Sequence, residues 1–189
     1  MLKGKIVTLR PVQEEDLPVL YEHTLDIENR GDFYPRRIYT LADMRKELAE
    51  NGMWNRERPS GLLVLVDNES GKVTGQIAFF PTAQYMDEME IGYINFDRSA
   101  RRRGAMTEAL TMLTWYVFNT IKTNRSRLTI VPDNTGSRRV AEKSGYKHEG
   151  TMRGCFFNNG QHYDMELYGI TRADVPSSKI GKVPGAAQG

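Results

Sequence analysis

The run Arg101-Arg102-Arg103-Gly104-Ala105-Met106-Thr107-Glu108-Ala109-Leu110 sets three guanidinium groups and a glycine at a hand-over between two patterns. Before it stands a strand-like segment, Glu90-Ile91-Gly92-Tyr93-Ile94-Asn95-Phe96, and after it an apolar helical pattern continues to about Ile121. That arrangement suits an anion. The first N–H groups of a helix have no partner within it and carry the positive end of its dipole, so a phosphate collects several hydrogen bonds there. The expectation is a phosphorylated ligand at this helix start. Other phosphate motifs are absent: the chain has neither G-x-x-x-x-G-K-[ST] nor G-x-G-x-x-G. It also lacks H-E-x-x-H, and Cys155 is its single cysteine, so no metal is expected. Of the histidines, His23 reads as a surface or satisfied core residue, His148 and His162 fall on the terminal hairpin, and His162 near Asp164 could face an acceptor.

The elements that must position these groups read as a mixed sheet with helices. Ile6 to Arg10 forms a first strand ended by Pro11, and Leu17, Leu20, Tyr21 and Leu25 fall at helical spacing over about 14–29. Thr40 caps a second helix over about 41–52, and residues 30–39 make an aromatic, charged loop. Strands follow at 62–66, 73–80, 88–96 and 128–131, with a short helix at about 135–144 stopped by Gly145. Two last strands, near 146–157 and 162–170, turn at Asn158-Asn159-Gly160. Such an order predicts an α/β (α+β) fold, one domain over 1–174, and a disordered tail at 175–189.

Composition sets the boundaries. At 189 residues with 39% hydrophobic and 26% charged content, one globular domain is expected. No apolar run reaches the roughly 18–20 residues of a membrane span, and the Met-Leu-Lys-Gly-Lys start lacks a signal-peptide core, so a cytoplasmic protein is expected. The net charge of +2 conceals an asymmetry: residues 1–97 carry 11 Lys/Arg against 17 Asp/Glu, residues 98–153 carry 12 against 4. A polyanion on the basic side, and an amine on the acidic side, fit that division; solvated surface is the plainer alternative.

Several of these pieces resemble the GCN5-related N-acetyltransferases, in their RimJ/RimL-like branch. Arg101-x-x-Gly104 with Thr107-Glu108-Ala109 is similar to that family's acyl-CoA pyrophosphate motif. Gly4-x-x-Val7-x-Leu9-Arg10-Pro11 resembles its first strand, Glu90-Ile91-Gly92-Tyr93 its fourth, and Asn134-x-x-Ser137 through Glu142-Lys143-x-Gly145-Tyr146 the loop and helix after the fifth. Glu149-Gly150-x-x-Arg153, Gly160 and Asp164 resemble its C-terminal hairpin. The resemblance spans roughly residues 3–174.

It implies about seven strands and about four helices, with the fourth and fifth strands splayed to admit acetyl-CoA or another acyl-CoA. Backbone groups of Ile94 and Phe96 would pair with the pantetheine arm, and those of Arg102, Arg103, Gly104, Ala105, Met106 and Thr107 would hold the pyrophosphate. The side chains of Arg101, Arg102 and Arg103 would meet outer phosphates. Glu90 is the candidate base and Ser137 the candidate acid, with Tyr146 a second acid; an ion pair, a helix cap and core packing are their respective alternatives. Asn134 would order the loop, and Phe33, Tyr34 and Asp164 would line an acceptor site, with packing equally open. The acceptor is a small-molecule or peptide amine. Met106, where the family has a small residue, and the three arginines leave a tRNA-borne acyl donor as an alternative. A non-catalytic binding protein is a third reading; under any of the three, a monomer or homodimer is expected.

Overall fold

Val7 and Leu9 are fully buried while Thr8 and Arg10 between them are not, which is the alternation of a strand with one face on a core. The computed structural model describes residues 1–26, 33, 39–51, 59–97 and 103–176 of the 189. Among them the strands are β1 (Leu2–Lys3), β2 (Val7–Pro11), β3 (Gly61–Asp67), β4 (Val73–Pro81), β5 (Glu88–Asn95), β6 (Arg125–Ile130), β7 (Lys147–Asn158) and β8 (Gln161–Thr171). They form one 8-stranded sheet in the order β1-β2-β3-β4-β5-β6-β8-β7, one more than expected because of the two-residue β1. The helices are α1 (Leu17–Leu25), α2 (Leu41–Asn51), α3 (Ala105–Thr120) and α4 (Thr135–Lys143). None of the described helices is long and apolar enough to cross a membrane.

Local chemistry explains the ends of these elements. Thr40 caps α2 reciprocally: its Oγ1 accepts from Asp43 N at 3.0 Å, and Asp43 Oδ2 accepts from Thr40 N at 3.0 Å. The β7–β8 turn carries positive φ at Asn159 (50°) and Gly160 (79°), the pair of left-handed residues that matches the strand twist. α1 is shorter than its spacing predicts. It stops at Leu25, which is 55% exposed, so the apolar stripe ends after Leu17 and Leu20.

Every neighbouring pair in the sheet is antiparallel except β5 and β6. Their parallel register lasts three residues, Glu88↔Arg125, Met89↔Ser126 and Glu90↔Arg127. Beyond it β5 stays on β4 as far as Asn95, and β6 stays on β8 as far as Ile130. The two strands therefore part after Glu90 and Arg127. α3 covers one face of this region through Ala109, Leu110, Leu113 and Val117, all fully buried with Met89, Ile91 and Leu128. Each of these side chains larger than Ala109 contributes about 1.5–3 kcal/mol on burial. α1 and α2 cover the opposite face over β3 and β4, against Leu62, Val64, Val66 and Val73.

α3 is tied to the N-terminal strands by a single carboxylate. Glu108 accepts the backbone N–H groups of Lys5, Ile6 and Val7 at 2.7, 2.7 and 2.9 Å. Gly4 makes room for it, since a Cβ there would collide with the Glu108 carboxylate. Glu108→Ala should lower the thermal midpoint by roughly 5–10 °C, because losing these bonds costs about 2–3 kcal/mol in a domain of this size. Gly4→Ala should destabilise in the same direction. Melts of both variants that overlay the parent curve would show that this hook carries no stability.

Candidate active site

Glu88 and Glu90 alternate with buried Met89 and Ile91, so they point away from α3. On β6, Arg125, Arg127 and Thr129 alternate with Ser126, Leu128 and Ile130 in the same sense. The register then sets carboxylates opposite guanidiniums. Glu88, 4% exposed, pairs with Arg125 Nε and lies 3.4 Å from Arg127 Nη1. Glu90 Oε2 accepts from Arg127 Nε at 3.0 Å and Nη2 at 2.9 Å, while Oε1 accepts from Thr129 Oγ1 at 2.7 Å. Three of a carboxylate's roughly four acceptor sites are thus used, and one on Oε1 remains. Arg125 also grips Glu149, across space that Gly169 leaves by having no side chain. Glu149, chiefly by that bond, raises the Arg125 pKa, and the bond holds the Glu149 carboxyl below its ordinary value. The ladder sits where β5 and β6 part.

On the α3 side of the same gap lies a pair of hydroxyls. Asn134 caps α4, its Oδ1 accepting from Ser137 N at 3.0 Å, and Ser137 Oγ is 2.8 Å from the hydroxyl of Tyr93 on β5. The Tyr93 side chain is not among the site residues expected from the sequence. Tyr146 is elsewhere. It is 3% exposed, and its hydroxyl lies 2.8 Å from Thr114 Oγ1 and 2.9 Å from Ser126 Oγ, inside the core. Burial pushes its hydroxyl up to about 12, against the opposing effect of those bonds. That placement favours packing for Tyr146, not delivery of a proton.

At the start of α3, the N-cap Gly104 takes the left-handed φ of 88° and has no side chain with which to cap the helix. Ala105 and Met106, 5% and 8% exposed, face the core, so the Met106 side chain is directed away from the helix start. Thr107 presents its carbonyl to Thr111 Oγ1 at 2.8 Å. Arg103 turns to the β3–β4 turn, 2.6 Å from Glu69 Oε2 and 3.6 Å from Asp67 Oδ2. Arg101 and Arg102 lie outside the described residues. Met106 packs in the core, and of the three arginines the described one, Arg103, is paired with the acidic β3–β4 turn.

The backbone of β5 corrects one expectation. Phe96 N donates to Thr74 O at 2.8 Å, and the Ile94 carbonyl lies against Gly75, so these groups face β4. Asp87 O instead accepts from Asn124 N, on the β6 side. Backbone groups of alternate residues point to opposite edges of a strand. Ile91, Tyr93 and Asn95 therefore present theirs to the gap, in place of Ile94 and Phe96. The Phe96 ring packs on His23, 4.1 Å between centroids.

The remaining candidates scatter. Asp164 Oδ1 accepts from Gly154 N at 2.8 Å and closes a bulge in the β7–β8 hairpin. His148 pairs with Glu166, His162 stacks near Phe157, and exposed Cys155 bonds the Met152 carbonyl. Phe33 is 41% exposed, and Tyr34 lies outside the described residues. Sequence reasoning missed Glu88, Arg125, Arg127, Thr129 and the Tyr93 hydroxyl. The signal available was the matched alternation Glu88-x-Glu90 and Arg125-x-Arg127-x-Thr129.

The sequence model of the acetyltransferase (GNAT) domain family matches residues 7–147. Among curated relatives, "Probable N-acetyltransferase YjcK" of Bacillus subtilis is 29% identical over 182 residues, 92% of this chain and 98% of the relative. RimJ of Mycobacterium smegmatis in complex with CoA-disulfide superposes with a TM-score of 0.74 at 24% identity, over 92% of this chain and 85% of that one. Spermidine N-acetyltransferase of Vibrio cholerae, in complex with CoA and spermine, gives 0.74 at 15% identity over 90% and 98%. At these identities the likeness to the solved structures is one of fold.

The Arg125–Glu149 pair makes a pH-dependent contribution to stability. A carboxyl whose folded pKa lies below its unfolded value stabilises at neutral pH, and loses that effect as pH falls through the folded value. Glu149→Gln should therefore melt below the parent at pH 7, with the difference shrinking below about pH 4.5. An equal difference at pH 7 and pH 3 would remove the ion pair as its source.

Proposed function

The chain belongs to the acetyltransferase (GNAT) family, and we propose that it moves an acetyl group from acetyl-CoA to a primary amine of a small molecule or a protein N-terminus. The parting of β5 and β6 carries this reading, because it leaves strand-edge N–H and C=O groups at a place flanked by Glu90 and Ser137. Buried backbone groups require partners, and the amides of a pantetheine arm would supply them to Ile91 and Tyr93. The N-cap of α3 is Gly104, which has no side chain to cap the helix, and the N–H groups of Gly104 to Thr107 would hold the pyrophosphate. Glu108, the acid in the first turn, is turned to Lys5–Val7 and does not compete.

In this reading the amine nitrogen attacks the thioester carbonyl, the C–S bond breaks, and the proton shed by the amine leaves through water to solvent. The free lone pair on Glu90 Oε1 orders that water, with Arg127 and Thr129 holding the carboxylate still. The Ser137 hydroxyl donates to the departing sulfur, which ends as the free thiol with a proton from solvent. The carboxylates near the gap are already matched by Arg125 and Arg127, which removes the electrostatic case for a polycationic acceptor.

Acetyl-CoA should bind and stabilise the protein in a thermal-shift titration, and a panel of small amines and unblocked peptides should reveal an acceptor. Glu90→Gln and Ser137→Ala should each lower kcat about 100-fold or more, with acetyl-CoA affinity within about threefold. Undiminished turnover in both variants would sink the mechanism. Absence of acetyl-CoA binding, with salt-sensitive binding of aminoacyl-tRNA, would move the donor to tRNA.

A further inference from the structure

The hydroxyl of Tyr93 lies 2.8 Å from Ser137 Oγ and 3.3 Å from the Ser137 carbonyl. Tyr93 stands on β5 and Ser137 in the first turn of α4, which follows β6, so the contact crosses from one arm of the gap to the other side. Only one proton can lie between two hydroxyl oxygens at that distance. In one arrangement Ser137 donates to Tyr93, and the phenol must turn its own proton toward the Ser137 carbonyl. That acceptor is too distant for a good O–H···O bond, whose usual range is about 2.5–3.0 Å. It would also use up the only O–H that Ser137 has to offer.

In the other arrangement the phenol donates to Ser137 Oγ. A phenol is the stronger donor of the two, with an ordinary pKa of about 10. Burial raises the Tyr93 pKa further, more than the Ser137 bond lowers it, so the phenol keeps its proton. Ser137 N is already fixed to Asn134 Oδ1, which holds the backbone beneath the hydroxyl. The serine proton is then directed away from Tyr93.

We propose that Tyr93 is a positioning residue whose phenol donates to Ser137 Oγ and turns the Ser137 O–H toward the sulfur of the acyl donor. This rests on the reading of Ser137 as the donor to the leaving thiolate. The step is hydrogen-bond donation alone; no proton leaves Tyr93 and no bond forms to it. Without the phenol, the serine hydroxyl is free to rotate onto a carbonyl of its own turn, as serine side chains commonly do.

The test needs no acceptor. A donor aimed at sulfur stabilises the thiolate of bound CoA, so the thiol should titrate below that of free CoA. It is followed through the ultraviolet absorbance of the thiolate, as the difference from ligand-free protein, with Cys155→Ser in every variant. Ser137→Ala should raise the midpoint by about one pH unit and Tyr93→Phe by about half a unit or more, with CoA affinity within about twofold. In the Ser137→Ala background, Tyr93→Phe should add nothing. A shift in Ser137→Ala with none in Tyr93→Phe would overturn the positioning role and leave the serine's role standing. Equal Tyr93→Phe shifts in both backgrounds would also overturn it, since Tyr93 would then act independently of Ser137. No shift in Ser137→Ala would remove the serine's role and this proposal with it.

Discussion

The parting of β5 from β6 is the constraint on which the rest of the structure depends. Parallel neighbours normally continue their ladder, because unpaired strand edges leave N–H and C=O groups without partners. Here the ladder stops after Glu90↔Arg127, while each strand keeps its outer neighbour. Glu88 and Glu90 meet Arg125 and Arg127 at the last paired residues, so the strands are clamped at the point from which they diverge. Such a clamp works because the charges are matched in register; removing one partner leaves another ion uncompensated.

Two faces then meet the same gap with different chemistry. One carries the charged ladder and Thr129. The other carries the hydroxyls of Tyr93 and Ser137 above a core built on α3. The helix itself is held by Glu108, whose carboxylate takes the backbone N–H groups of Lys5, Ile6 and Val7 at the entry to β2 instead of capping its own first turn. A single residue thus links the N-terminal strands to the position of the helix start.

The charge division along the chain takes on a different meaning in three dimensions. Asp67, Glu69, Glu88 and Glu90 belong to the acidic first half, and Arg103, Arg125 and Arg127 to the basic second half. They pair with one another. Part of the apparent demand for a polyanion is therefore satisfied within the molecule. The same pairing explains why β6 begins three residues before the expected start. Arg125-Ser126-Arg127 lacks a strand's usual apolar character until opposing carboxylates are supplied.

What the sequence alone determined was local. The Asn159-Gly160 turn, the Thr40–Asp43 cap, the Gly104 helix start and the alternation of β2 follow from backbone sterics and hydrogen bonds within a few residues, which the order of residues specifies. The motifs around Gly104, Glu90 and Asn134–Ser137 carried the family and the approximate place of the proposed site. Tertiary structure alone decided the partners: Arg127 for Glu90, Tyr93 for Ser137, the core for Tyr146 and Met106, and Ile91, Tyr93 and Asn95 as the strand edge facing the gap. The Glu90–Arg127 pairing depends on register between strands about 37 residues apart and the exposed edge on which way each peptide group faces, and one residue of slip would exchange both; the other partners depend on how α3 and α4 pack on the sheet.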